Sequence, residues 1–195
     1  NNKSLSERSV VNHFVFIRLL FNRAIRNGMI DRKLYPFGMG KIKIKFPESR
    51  KIGLTTDEIL TIENLTTLTE EEKHARNIWL FSFYLAGIRI GDVLKIRWCD
   101  IYDGRLHYSM NKNSKLVSLR LPDKIYRILE KYKVYKKYDD DYVFPDIKIA
   151  DRQNSKDIYS KIKIANKRLN KELSNVAVKG KIDKKLTMHI ARHSF

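Results

Sequence analysis

The 195-residue chain carries 40 Lys and Arg against 22 Asp and Glu, a formal net charge of +18, and 43% of its residues are hydrophobic. That apolar content can build a core, which excludes wholesale disorder, and the length fits one ordinary domain with a smaller piece beside it. The positive excess favours polyanionic partners, nucleic acid first, over a merely soluble basic surface, while the lone Cys99 excludes an internal disulfide and a multi-cysteine zinc site.

Residues 8–27 place Val10, Phe14, Ile17, Phe21 and Ala24 at helical spacing, with Arg18, Asn22 and Arg26 on another face; Asn27-Gly28 is a helix stop. Pro36 then enforces irregular chain, and Lys41-Ile42-Lys43-Ile44-Lys45 alternates charge and aliphatic residues as an extended linker does. Pro47 and Gly53 bracket a basic joint with Arg50 and Lys51. A boundary is expected here, with 1–45 as one piece, 46–53 as linker and 54–195 as the main domain. The first piece, one long helix and its flanks, is too small to fold convincingly alone.

Thr55 with Glu58, and Thr69 with Glu72, have capping-box spacing. The second box opens a long helix, strongly apolar from Ile78 to Leu85 and interrupted at Ala86-Gly87; another amphipathic helix is expected from about Ile90 to Ile96. A period-two pattern follows in Leu106, Tyr108 and Met110, then Val117, Leu119 and Leu121. With Asn111-Lys112-Asn113-Ser114-Lys115 between the runs, it predicts a β-hairpin with a lysine-bearing loop. Helices are expected at about 123–137 and 155–178, the latter with Ile158, Ile162, Ala165, Leu169 and Leu173 in register, and a last one over Thr187 to Phe195. The fold class is mainly α with a small antiparallel β-sheet (α+β). The most apolar stretch, Ile78 to Ile90, is broken by Ser82, Gly87 and Arg89 and falls short of the ~20 residues that span a bilayer. With no lipidation motif and no signal peptide expected, the chain reads as cytoplasmic, DNA-associated and of bacterial type.

Gly-rich phosphate loops are absent, so any phosphate chemistry runs without a bound nucleotide. Arg89 sits among residues that belong in a core, where a guanidinium is costly unless something anionic satisfies it. Gly87 and Gly91 allow close backbone approach, and a helix starting just after Arg89 offers free N–H groups to a phosphate. An internal Arg89–Asp92 pair is the alternative. His189 and Arg192 stand three apart on a helix, hence on one face: an imidazole able to take a proton beside a fork able to clamp phosphate oxygens. His189 could equally be a satisfied core histidine, or pair with His193 on a metal, although no adjacent glutamate or third ligand accompanies them. Lys112 on its hairpin could donate a proton to a leaving 5′ oxygen, with Lys115 competing for the role.

The order Arg, hairpin Lys, His-x-x-Arg in a basic helical domain resembles the tyrosine recombinase (phage integrase) family. Leu85-Ala86-Gly87-Ile88-Arg89-Ile90-Gly91-Asp92-Val93-Leu94 with Ile96-Arg97-Trp98-Cys99-Asp100-Ile101 resembles its first-arginine box. Arg105 through Pro122 resembles its hairpin, Tyr142-Val143-Phe144-Pro145 a common structural marker, and Thr187 through Phe195 the box with its histidine and second arginine. The resemblance implies that Arg89 and Arg192 clamp the scissile phosphate, that Lys112 (or Lys115) is the general acid, and that His189 binds the phosphate and assists as base, with Asp92 in support. It implies a site-specific recombinase or integrase of a mobile element, working through a 3′ phosphotyrosyl intermediate without metal, nucleotide or other cofactor. The implied partner is double-stranded DNA, bound by a tetramer when complete and by a monomer or weak oligomer of this fragment.

Residues 1–45 resemble the end of a core-binding domain, where Arg18, Arg23 and Arg26 either touch phosphates or form a solvated face. The family's nucleophilic tyrosine lies beyond its His-x-x-Arg box, and none of the ten tyrosines here follows Arg192; Tyr84 and Tyr126 read as helix-packing aromatics. The chain is therefore expected to be C-terminally truncated, able to bind but not to cleave. A non-catalytic DNA-binding or architectural protein with a recombinase-like fold is the alternative, and an RNA-binding domain a third that lacks its usual aromatic-glycine signatures.

Overall fold

The computed structural model describes residues 5–48, 52–110 and 114–195, which form two compact units, 1–50 and 51–195. The first unit is built on α1 (Glu7–Arg26), capped by Ser6 and ended at Asn27, with Gly28 turning the chain at φ +67°. No residue of α1 is buried. Phe21 packs edge-on against Phe37 at 6.4 Å, and Phe37 is the one buried hydrophobic residue among the described residues of this unit.

The second unit runs α2 (Thr56–Asn64), α3 (Glu70–Tyr84), α4 (Ile90–Val93), β1 (Ile101–Tyr102), β2 (Arg105–Ser109), β3 (Leu116–Arg120), α5 (Asp123–Tyr132), α6 (Ser155–Lys179) and α7 (Met188–Ser194). Both expected capping boxes form with reciprocal bonds, at Thr55/Glu58 and Thr69/Glu72. Each satisfies two donors that the first helical turn leaves orphaned. α3 is the hub: Ile78, Trp79 and Phe81 have no exposed surface, and the helix packs on α5, α6 and α7. From α6 the core receives Ala165, Leu169, Leu173 and Val176.

The hairpin has the expected inward set, with Leu106 opposite Leu119 and Tyr108 opposite Val117, and β1 adds a short third antiparallel strand. The helix expected over Ile90–Ile96 is shorter. After Val93 the chain tightens into i→i+3 bonds, and the Ile96 carbonyl accepts from Val143 N–H at 2.9 Å, which draws it out of helical geometry. The same pairing seats the Tyr142–Pro145 marker: Val143 and Phe144 are fully buried, and Pro145 opens a 3₁₀ turn to Ile147. Among the described residues no helix is long and apolar enough to cross a membrane.

Candidate active site

Three separate stretches meet at one pocket of about 560 Å³, and Arg89, Asp92, His189 and Arg192 are among its lining residues. The first stretch begins where α3 ends. Ala86 and Gly87 both take positive φ, 58° and 65°, reversing the chain within two residues. Gly87 N–H donates to Ser82 O at 2.9 Å, and Ser82 Oγ donates to Ile88 O at 2.7 Å. This turn, exposed at Ala86 but buried at Gly87 and Ile88, delivers Arg89 to the N-cap of α4, where its carbonyl accepts from the Asp92 and Val93 amides at 2.8 and 2.9 Å. Arg89 is half-buried and Asp92 buried.

The second stretch is α7. Trp79 Nε1 donates to Thr187 O at 3.1 Å, Leu54 N–H donates to Ser194 Oγ at 2.8 Å, and Met188 N–H donates to Asn170 Oδ1 at 2.8 Å. Pinned through its backbone at the start and through the Ser194 hydroxyl at the end, α7 turns His189 and Arg192 outward on one face. Arg192 passes so close to Gly87 that a Cβ there would lie 2.8 Å from Arg192 Cα, and its Nη1 donates to Gly87 O at 3.4 Å. The two arginine boxes are thus in direct contact through a position that only glycine fills. The third stretch is α6, which brings Asn166 and Asn170 to the lining. Sequence reasoning missed both; the available signal was a pair of poor helix formers four apart beside the buried stripe of a long helix.

Among the described lining residues, two guanidinium groups, Arg89 and Arg192, stand against one carboxylate, Asp92. Withdrawal of the His189 ring from water, together with the positive charges of His193, Arg192 and Arg89, pushes its pKa below that of an ordinary histidine. The His193 ring packs edge-on against it at 4.5 Å. A neutral imidazole can accept a proton, and an anion in the pocket would reverse the shift. Tyr108 of β2 feels the same groups. Burial and the Asp92 charge raise its phenol, while Arg192 and Arg89 act against them. Lys115 is exposed at the start of the return strand, where its carbonyl closes the hairpin by accepting from Met110 N–H; Lys112 lies outside the described residues. Arg18, Arg23 and Arg26 are exposed on α1 in the other unit.

A larger cavity, about 650 Å³, lies elsewhere beside His74, Tyr132 and Arg168. His74 bridges Tyr132 (2.8 Å) and Asp146 (3.0 Å), and Arg168 takes the other Asp146 oxygen at 2.7 Å. These groups clip α3, α5 and α6 to the turn after Phe144, a structural task.

The model of the phage integrase family matches residues 53–195, and that of the phage integrase SAM-like domain matches residues 1–44. Among solved structures, a lambda integrase (75–356) dimer bound to a COC′ core site superposes with a TM-score of 0.59 at 18% identity, covering 96% of this chain and 62% of that one. The XerH site-specific recombinase bound to its difH substrate superposes at 0.58 and 17% identity, covering 98% of this chain and 54% of that one. At such identities the likeness is one of fold, and the chain spans little more than half the length of these structures. No curated protein sequence matches significantly.

Proposed function

The chain belongs to the phage integrase family, and on that premise we propose that it grips a backbone phosphate of double-stranded DNA as the strand-transfer domain of a site-specific recombinase or integrase of a mobile element. The observation that carries this is the convergence of Arg89, His189 and Arg192 on one pocket whose lining holds a single carboxylate, Asp92. Two guanidinium forks can hold the non-bridging oxygens and offset the charge that builds up on them in the transition state. In this reading a tyrosine oxygen attacks phosphorus as the bond to the 5′ oxygen breaks, leaving a 3′ phosphotyrosyl bond. The tyrosine proton passes toward His189, and the leaving oxygen takes a proton from the hairpin lysine, Lys112 or else Lys115. Buried Asp92 supports the Arg89 turn. In the smaller unit, Arg18, Arg23 and Arg26 would touch further phosphates, as part of a core-binding domain. The lambda integrase tetramer bound to a Holliday junction supports a tetrameric assembly on DNA.

Among the described residues no tyrosine lines the pocket, which favours a chain that binds without cutting unless a hydroxyl arrives from outside that lining. The same observation keeps the second reading, a non-catalytic DNA binder on this fold. A nicked duplex that traps covalent protein–DNA adducts separates them. The chain is compared with a form carrying whatever its gene encodes after Phe195. An adduct with the extended form alone supports the recombinase. An adduct with the short chain would mean that one of its own tyrosines attacks and that these roles are misassigned. Binding by both without an adduct favours the second reading.

A further inference from the structure

A chain of side-chain amides in the pocket has its direction fixed by one backbone group. Thr187 makes no side-chain cap bond at the start of α7. The Met188 N–H, an orphan donor of that first turn, is satisfied from α6 by Asn170 at 2.8 Å. A backbone amide only donates, so the Asn170 atom that meets it is the oxygen, and the Asn170 Nδ2 must donate onward. It donates to Asn166 Oδ1, one turn earlier, at 3.2 Å. The same logic leaves Nδ2 as the outward end of Asn166, a half-buried residue that lines the pocket with Arg89, His189 and Arg192. Asparagine is unfavourable in a helix interior, and α6 carries this pair beside its buried Ala165 and Leu169.

We propose that Asn166 is a further phosphate ligand, donating from Nδ2 to a non-bridging oxygen, and that Asn170 positions it together with the first turn of α7. The proposal rests on the phosphate-site reading above. Inorganic phosphate titrated into isotope-labelled protein should shift the Asn166 side-chain amide and the His189 ring along one binding curve. Asn166→Ala should weaken that binding about tenfold, the scale of one hydrogen bond to a charged group, with the Met188 amide still protected from exchange. Asn170→Ala should abolish the phosphate-dependent shift of the Asn166 amide. A purely structural Asn170 would expose the Met188 amide and leave that shift in place. If His189 follows the titration while the Asn166 amide stays still and Asn166→Ala binds as tightly as the parent, the Asn166 assignment is wrong and the site stands. If neither signal moves, both are wrong.

Discussion

Gly87→Ala tests whether the two arginine boxes are welded together as the structure has them. Two costs add at this position. The left-handed backbone, φ +65°, costs an L-residue roughly 1–2 kcal/mol. The new methyl would also stand 2.8 Å from Arg192 Cα and 3.1 Å from its Cγ. The first of these is backbone and cannot swing away, so overpacking adds roughly 1–3 kcal/mol. The sum, about 2–5 kcal/mol, corresponds to a fall in Tm of roughly 5–15 °C for a domain of this size. Differential scanning calorimetry measures it, with Gly91→Ala as the companion. There a Cβ meets only Ile162 Cγ2 at 3.9 Å, and replacing a helical glycine is neutral or stabilising by up to ~1 kcal/mol. Relief of the clash pushes α7 outward, so DNA affinity should fall in Gly87→Ala as well. A Gly87→Ala protein that melts within about 2 °C of the parent would refute the claim that close approach and left-handed backbone make this position glycine-only.

DNA affinity should fall linearly with salt on logarithmic axes, and Arg89→Ala or Arg192→Ala should each lower the slope by about one, the signature of one lost phosphate contact; an unchanged slope in both variants places these arginines off the DNA. Because His189 titrates below the ordinary histidine range in the free protein, phosphate binding must raise its pKa and take up a proton. Affinity should therefore strengthen as pH falls from about 7.5 to about 5.5, and His189→Gln should flatten that profile; a parent profile as flat as the variant's removes His189 from the site. At Asp146 burial alone would raise the carboxyl, but hydrogen bonds and charge from His74 and Arg168 outweigh it and hold the pKa below the usual range. The stability it contributes is thus complete above the unfolded value of about 4 and is lost as pH falls through the lower folded value. Asp146→Ala should cost roughly 2–3 kcal/mol at neutral pH, in urea melts, with the gap to the parent closing in acid; a gap constant down to about pH 2 would contradict the pairing.

What was legible in the sequence was what local chemistry decides. Thr55 with Glu58 and Thr69 with Glu72 form their boxes because the partners stand three residues apart. The hairpin register follows from alternation, since slipping by one residue would turn Leu106 and Leu119 to solvent. Illegible features depend on distant partners. The length of α4 is cut by a bond from Val143, which no pattern near Ile96 announces. On α1 the spacing placed Val10 and Ile17 on the packed face, yet they are 38% and 40% exposed. That helix is apolar on more than one side, with Phe16, Leu19 and Leu20 exposed as well, so periodicity alone does not choose the face. In the site, Arg89, His189 and Arg192 were readable as costly or clustered polar groups. Asn166 and Asn170 gain meaning only once α7 is laid against α6.

The pocket gathers Arg89 and Arg192 around His189, and their charges, with that of His193, add to burial in lowering the His189 pKa. Like charges at close quarters repel, so the segments bearing them must be held from behind. One helix does the holding. Trp79 and Ser82, three apart on α3, bond to Thr187 O and Ile88 O respectively, so a single fully buried turn fixes both the stretch carrying Arg89 and the stretch carrying His189 and Arg192. A site built on a rigid element keeps its donors in place without a ligand, which is what allows them to act on developing charge with little reorganisation. A phosphate bound there, as proposed, would relieve the repulsion and stabilise the fold by RT ln(1 + [L]/Kd), about 2.7 kcal/mol at a hundredfold excess over Kd.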